Sequence, residues 1–311
     1  IDPRSTELRL VRGDSQVTGG HQLTAGGRGS GLDTGDNGLG GAHDAQHHPG
    51  AIHQNLPDPG LARPGLLALS RRHLPQVMPG GKYRAAASDD DDPGVRVIVL
   101  TGSGPVFSAG HDLREMAPRE GEDAKAREAR IRQILVDCSR MMLGIVHSPK
   151  AIIGCIQATA TAAGCQLVSA CDLAIASDQA RFCTPGVNIG TFCTTPLVGI
   201  GRNLQRKHAM ELALTGDMFS AEDAVRMGLV NRAVPESEVR AVTEELAQKI
   251  ASKSALGIRS GKEAFYRQIE MPIEEAFAYA NEAMLEGMVC GDAEEGSRAF
   301  FEKRAPVWAD A

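Results

Sequence analysis

VRVIVLTGSGPVFSAGHDLREM, residues 95–116, is the stretch on which the fold turns. Its first six residues are a β-branched run bounded by Pro93-Gly94 and Gly102, the pattern of a strand buried in a parallel sheet. Small residues around Ala109 and Gly110 then predict a turn. AIIGCI at 151–156 repeats the pattern and leads into QATATAAGCQL at 157–167, and DLAIAS at 172–177 is a third such run. Between the first two, residues from about Glu122 to His147 set Ile131, Ile134, Leu135, Cys138, Met141, Met142 and Ile145 at helical spacing. Residues 162–170 read as a tight turn followed by a helix. Strand, helix, strand, helix, strand predicts an α/β fold with right-handed crossovers.

The last third is helical in pattern. Ser220 is placed to cap a helix ending near Gly228, and further helices are expected at about 235–253, 258–268, 273–288 and 292–303. This tail carries Phe265, Phe277, Phe300 and Phe301, which either cover the core or meet another subunit.

Composition separates the two ends of the chain. Of 311 residues, the first 81 hold 16 of the 35 Gly, 7 of the 16 Pro and 6 of the 9 His, but no Phe, Trp, Tyr or Cys. A segment so poor in large apolar side chains has little to offset the entropy of ordering it, so residues 1–90 are expected to be largely irregular. An out-of-frame upstream reading would account for the same text. The acidic run SDDDDPG at 88–94 reads as a solvated turn, because a calcium loop alternates its ligands and closes on a Glu. The expected organisation is therefore 1–90 as a low-complexity segment, 91–245 as the core and 246–311 as a helical region.

A net charge of −6 argues against nucleic acid or an anionic membrane as partner, and no apolar run approaches the roughly 18 residues of a membrane span. Seven cysteines without a CxxC pair do not suggest a metal site. Four of them, in GCI, GCQL, ACDL and RFCT, fall in apolar or small-residue runs and are expected to be buried thiols.

Chemistry is expected at the two turns after strands, since loops at the carboxyl ends of parallel strands form the ligand crevice of an open α/β sheet. Small residues let backbone approach a ligand there, and helix starts aim unpaired N–H groups outward. Ordinary tight packing between strand and helix would produce the same Ala-Gly pattern.

Taken together, VIVLTGSGPVFSAGHDLREM, ATATAAGCQLVSACDLAIASDQARFCTPGVNIG, ALTGDMFSAEDAVRMGLVNRAVP and DAEEGSRAFFEKRAPVW resemble the crotonase superfamily, the enoyl-CoA hydratase/isomerase family, over about 91–308. ATAAGCQL and TPGVNIG are similar to one branch, the enoyl-CoA hydratase domain-containing protein 3 type and its bacterial relatives. The resemblance implies a core of ββα spiral turns, a C-terminal helical oligomerisation region that builds a homotrimer or dimer of trimers, and an acyl-CoA thioester as ligand. It implies no cofactor beyond the CoA of the substrate. An oxyanion hole would be made by the main-chain N–H groups of His111 and Ala163, with Ala109, Asp112, Leu113, Gly164, Pro185 and Gly186 lining the substrate. In hydratases of the family one catalytic Glu follows the Gly-Gly-Gly-Cys stretch, where Gln166 stands here, and the other follows the Pro that is here Pro185, where Gly186 stands.

Each proton-transfer group contributes about 10²- to 10⁴-fold, so efficient hydration is not expected. Gln166, Asn188 and Thr194 are the candidate replacements in the catalytic position, with Cys193 and Thr195 nearby in GVNIGTFCTTP. By source, the resemblance implies the cytoplasm for a bacterium and the mitochondrial matrix for a eukaryote. Family members also begin with a strand, and none is evident in 1–90, so the core is expected to lack an outer strand.

Overall fold

The computed structural model describes residues 6–12, 92 and 94–309. The chain divides into two units, residues 14–70 and the remainder, and every described residue lies in the latter. Its main sheet has five strands in the order β1 (Thr6–Arg12), β2 (Val95–Gly102), β3 (Ala151–Ile156), β5 (Leu173–Ser177) and β8 (Arg232–Val234). Strands β2, β3, β5 and β8 are parallel, and β1 runs antiparallel along the edge of β2. A smaller sheet of β4 (Ala160–Thr161), β6 (Arg181–Cys183) and β7 (Phe219–Ser220) stands beside it in the order β4-β6-β7.

Strand β1 corrects the expectation of a missing outer strand. TELRLVR pairs with β2 from Thr6 opposite Gly102 to Arg12 opposite Val95, with a register shift between Val11 and Arg12. Leu8, Arg9 and Leu10 alternate as a strand should, and Val11 breaks the alternation where the register slips. Averaging composition over 81 residues hid a seven-residue strand with a short alternation at its centre. The rest of the segment expected to be irregular, 1–90, lies outside the described residues, and description resumes at the acidic turn that follows it. There Asp92 Oδ1 accepts from Gly94 N at 2.8 Å, and the Asp92 carbonyl accepts from Val95 N at 3.0 Å and from Lys150 Nζ at 2.7 Å.

Both faces of the parallel sheet are covered, which explains why its strands read as continuous apolar runs. Ile98, Leu100, Ile152, Ile156, Ala174 and Ala176 face one way and pack with Met142 and Ile145 of α2 (Ala124–Val146), Leu167 and Val168 of α3 (Ala163–Ala170) and Met227 of α6 (Ala221–Met227). Val97, Val99, Ile153, Cys155 and Ile175 face the other way against Val239, Ala247 and Ala251 of α7 (Val239–Ala251). At about 1.5–3 kcal/mol for each buried aliphatic side chain, these two layers supply the main driving force for the fold.

The remaining helices are α1 (Leu113–Met116), α4 (Pro196–Asn203), α5 (Arg206–Thr215), α8 (Ala255–Gln268), α9 (Ile273–Met288) and α10 (Gly291–Glu302), with a 3₁₀ turn at Pro185–Ile189. Helix α6 starts on a capping box: Ser220 Oγ accepts from Asp223 N at 3.0 Å while Ser220 N donates to the Asp223 carboxylate at 3.3 Å. Helix α8 buries no residue fully and is fastened by polar contacts instead. Lys262 Nζ donates to the carbonyls of Ile145 and Lys150 at 3.2 and 2.9 Å and to Asp172 at 2.8 Å, and Tyr266 donates to the same carboxylate at 2.9 Å.

Candidate functional site

The site is assembled from the two loops that leave β2 and β3. Gln157 organises the first of them: its Oε1 accepts from Gly102 N at 3.1 Å, and its Nε2 donates to the carbonyls of Gly104 and Val106 at 3.3 and 3.2 Å. Phe107 is fully buried beneath the loop. The chain then runs alongside the second loop, with Phe107 N donating to Thr159 O at 2.9 Å, Thr161 N to Ser108 O at 2.9 Å and Thr161 Oγ1 to Ala109 O at 3.0 Å.

Two glycines permit this approach. A β-carbon on Gly110, whose φ is +86°, would stand 3.1 Å from Ala163 N, and one on Gly164 would overlap the Ser108 carbonyl oxygen. The space between the loops is therefore too small for side chains at 110 and 164, and the two backbones meet directly.

His111 and Ala163 sit at this junction. Among the described residues neither main-chain N–H donates to a protein acceptor. Ala163 is the first residue of α3, so its N–H is one of the unpaired donors of a helix start and lies at the positive end of the helix dipole. Ala162, just before it, is held at φ 51° and ψ −116°, with its N–H bonded to Cys183 O at 2.9 Å. Such backbone is costly for a residue with a side chain, by about 1–3 kcal/mol. Pre-set N–H donors of this kind serve best where negative charge develops on an oxygen, since nothing has to reorganise when it appears.

The imidazole of His111 has a different environment from its N–H. Its Nε2 is buried without a hydrogen-bond partner, and burial pushes its pKa below the ordinary value, so the ring is neutral at neutral pH. Asp112 is exposed, and its carboxylate is already committed: it caps α1 through Arg114 N at 2.9 Å and pairs with the Arg114 guanidinium at 2.8 Å, which holds its pKa low. Leu113 opens α1 with its side chain 57% exposed, an apolar surface free to meet a ligand. Arg130 of α2 clamps the loop beyond, pairing with Glu122 at 2.6 Å and donating to the carbonyls of Glu115 and, at 2.9 Å, Ala117.

The catalytic candidates occupy less open settings. Gln166 is buried on α3, and its Oε1 accepts from the Cys138 thiol of α2 at 3.8 Å. Pro185 begins the 3₁₀ turn and Gly186 is buried within it. Asn188 is exposed, with Nδ2 donating to Gly216 O at 3.4 Å, and Thr194 is exposed with its hydroxyl turned to Phe192 O at 3.4 Å. Cys193 lies against Gly186, and burial raises its thiol pKa. Cys155, Cys165, Cys171 and Cys183, the four from apolar runs, are all buried, and burial lifts Cys183 to about 11 and Cys171 to about 12. Protonated thiols are poor nucleophiles. Among the described residues no group of three or more His, Cys, Asp and Glu side chains could hold a metal ion.

The backbone candidates His111 and Ala163 are thus brought together with Ala109 and Gly164. Gln157, Thr161 and Arg130, which shape the loops, were not singled out by the sequence. Gln157 had a readable signal, as a lone polar residue closing an apolar strand. The grip of Arg130 on carbonyls 13 and 15 residues away had none.

A family model described as enoyl-CoA hydratase/isomerase matches residues 84–311. The mouse protein named "Enoyl-CoA hydratase domain-containing protein 3, mitochondrial" is 42% identical over 215 residues, which are 69% of this chain and 70% of the mouse protein. The crystal structure of human enoyl Coenzyme A hydratase domain-containing protein 3 superposes with a TM-score of 0.66 at 41% identity, covering 71% of this chain and 85% of the human one. That of an enoyl-CoA hydratase from Mycobacterium smegmatis gives the same TM-score at 42% identity, covering 70% and 83% of the two chains.

Proposed function

This chain belongs to the enoyl-CoA hydratase/isomerase family, and from that premise we propose that it binds an acyl-CoA thioester and stabilises its enolate without efficient hydration. One observation carries the reading: among the described residues the N–H groups of His111 and Ala163 have no protein acceptor where two loops meet backbone to backbone. The thioester oxygen would accept from both, and charge moving onto it as an enolate forms would strengthen both bonds. Removing a single donor of this type costs other enzymes about 10²- to 10³-fold in rate. Ala109, Gly164, Pro185 and Gly186 would line the thioester by backbone, and Leu113 would lie along the pantetheine arm. Asp112, engaged with Arg114, would contribute mainly main chain.

Protonation is the weak half of this chemistry. Gln166 can hold a water but cannot exchange a proton near neutral pH. Its oxygen also faces Cys138, whose pKa burial raises to about 11. Asn188 and Thr194 would act only by hydrogen bonding. No cofactor other than the substrate's own CoA enters this reading.

A second reading, a non-catalytic acyl-CoA-binding or assembly protein, is favoured by the same commitment of Gln166 to Cys138. Calorimetry with crotonyl-CoA and with CoA, run beside a hydration assay, separates the two. Turnover lost in Gln166→Ala and kept in Cys193→Ala supports the enzyme, whereas binding without turnover supports the second reading. Thiol release from an acyl-CoA would point instead to a thioester hydrolase. Absence of binding in calorimetry would overturn the proposal.

A homotrimer or dimer of trimers fits the apolar side chains left open on α8, α9 and α10, among them Phe265, Phe277, Met284 and Phe300. The word mitochondrial in the names of the vertebrate relatives supports the matrix for a eukaryotic source, with the cytoplasm as the counterpart in a bacterium.

A further inference from the structure

Position 186 is a glycine in a buried turn, and the space beside its α-carbon is filled. A β-carbon there would stand 2.9 Å from the Cys193 amide nitrogen, 3.0 Å from Cys193 Sγ and 3.1 Å from the Phe192 carbonyl carbon. Contacts this close do not persist, so something must give way. Sγ can rotate aside. The two backbone atoms cannot do so cheaply, because the segment that carries them is tied to the turn on one side and to α4 on the other. Thr191 N donates to Gly186 O at 3.0 Å, and Leu197 N, at the start of α4, to Cys193 O at 3.2 Å.

The opposite wall is equally fixed. Thr184, fully buried, donates through Oγ1 to Leu212 O at 2.9 Å, and Asn188 reaches Gly216 O at 3.4 Å, so both flanks of the 3₁₀ turn are anchored to α5 and its C-terminal cap. Gly186 does not occupy the left-handed region, so its lack of a side chain answers to space and not to backbone conformation.

We propose that the Phe192–Cys193 backbone closes position 186 to every side chain, so that this face of the acyl site is main chain and cannot be given a proton-transfer group by substitution. The inference rests on the acyl-CoA reading for its chemical meaning. It makes the departure from the hydratase pattern a property of loop packing: the 190–194 segment occupies the room that a carboxylate at 186 would need, and replacing the residue alone does not recover the room. Gly186 is then a specificity-determining position, fixing the site as one that polarises a thioester without delivering a proton from this side.

The test separates space from conformation by sign. Where a glycine with ordinary backbone angles has open room, Gly→Ala stabilises by restricting the unfolded chain. Gly201, on α4 with nothing within 4 Å of its would-be β-carbon, is the control and should melt at or above the parent temperature. Gly186→Ala should melt lower by about 3–10 °C, the scale set by overpacking in a domain of this size. Adding Cys193→Ala should leave most of that loss in place, since the blocking atoms are main chain.

For function, Gln166→Glu with Gly186→Glu should hydrate crotonyl-CoA no faster than the parent. Gly186→Ala melting at or above the parent, full recovery on adding Cys193→Ala, or hydration gained by the double variant would each overturn the inference. If the parent fails to bind crotonyl-CoA in calorimetry, the acyl-CoA reading falls, while the melting order still decides whether position 186 is closed.

Discussion

Ala162 holds φ at 51° and ψ at −116°, the region of the first central residue of a type II′ turn, which glycine fills readily and alanine does not. The strain is applied one residue before the Ala163 donor, where it turns the chain from β4 into α3. Ala162→Gly should therefore raise stability by up to about 1 kcal/mol, relief of strain exceeding the entropy glycine adds to the unfolded chain. A higher urea midpoint at unchanged slope would show it. His111 makes a prediction in pH. Burial lowers its folded pKa below the unfolded value, so stability is full above the unfolded pKa of about 6.5 and falls as pH drops below it, because the unfolded chain takes up the proton first. His111→Gln should lose less melting temperature than the parent between pH 7.5 and 5.5, and equal losses would show that another group titrates.

At the scale of elements, α3 depends on Gly164 and α8 on Lys262. A side chain at 164 drives into the Ser108 carbonyl, so Gly164→Ala should separate the two site loops at a cost of about 3 kcal/mol, with acyl-CoA binding lost in calorimetry of the folded variant. Lys262, 8% exposed, is paired to Asp172 and bonded to two carbonyls. Lys262→Ala removes the counter-charge of that carboxylate but leaves it the donors Tyr266 and Ile152 N, and should cost about 3 kcal/mol by chemical denaturation. The polar anchor of α8 was not legible in the sequence, because Asp172 and Lys262 stand 90 residues apart and only the fold makes them neighbours. Elements with strong local signals were legible: AIIGCI is β3 to the residue, 273–288 is α9 to the residue, and the Ser220 cap begins α6 with its box complete. The two-residue strands β4 and β7 and the short helices α4 and α5 were not, since pairing and packing from outside hold them more than any period of their own.

For the molecule as a whole, apolar surface outside the core is the feature that calls for a partner. Phe277 is 64% exposed on α9 and Phe301 is 80% exposed on α10, with Met284, Leu285, Met288 and Val289 following Phe277 along or just beyond α9. Contiguous exposed apolar side chains are a mark of interaction surfaces. Under the proposed trimeric assembly, Phe277→Glu should shift the mass toward the monomer in light scattering while leaving the helical circular dichroism in place. An unchanged mass would remove α9 from the interface.

The amino-acid sequence by itself determined the α/β order, the buried faces of the central strands, the two small-residue loops after β2 and β3, and the absence of carboxylates at 166 and 186. These are matters of local period and residue identity, which a linear chain carries openly. Tertiary structure alone decided that TELRLVR returns as the edge strand, that Gln157 and Arg130 hold the first loop in place, that Gln166 turns to Cys138, and that a backbone segment shuts position 186. Each of those depends on atoms distant in sequence meeting within a few ångströms, and no local pattern records which of them will meet.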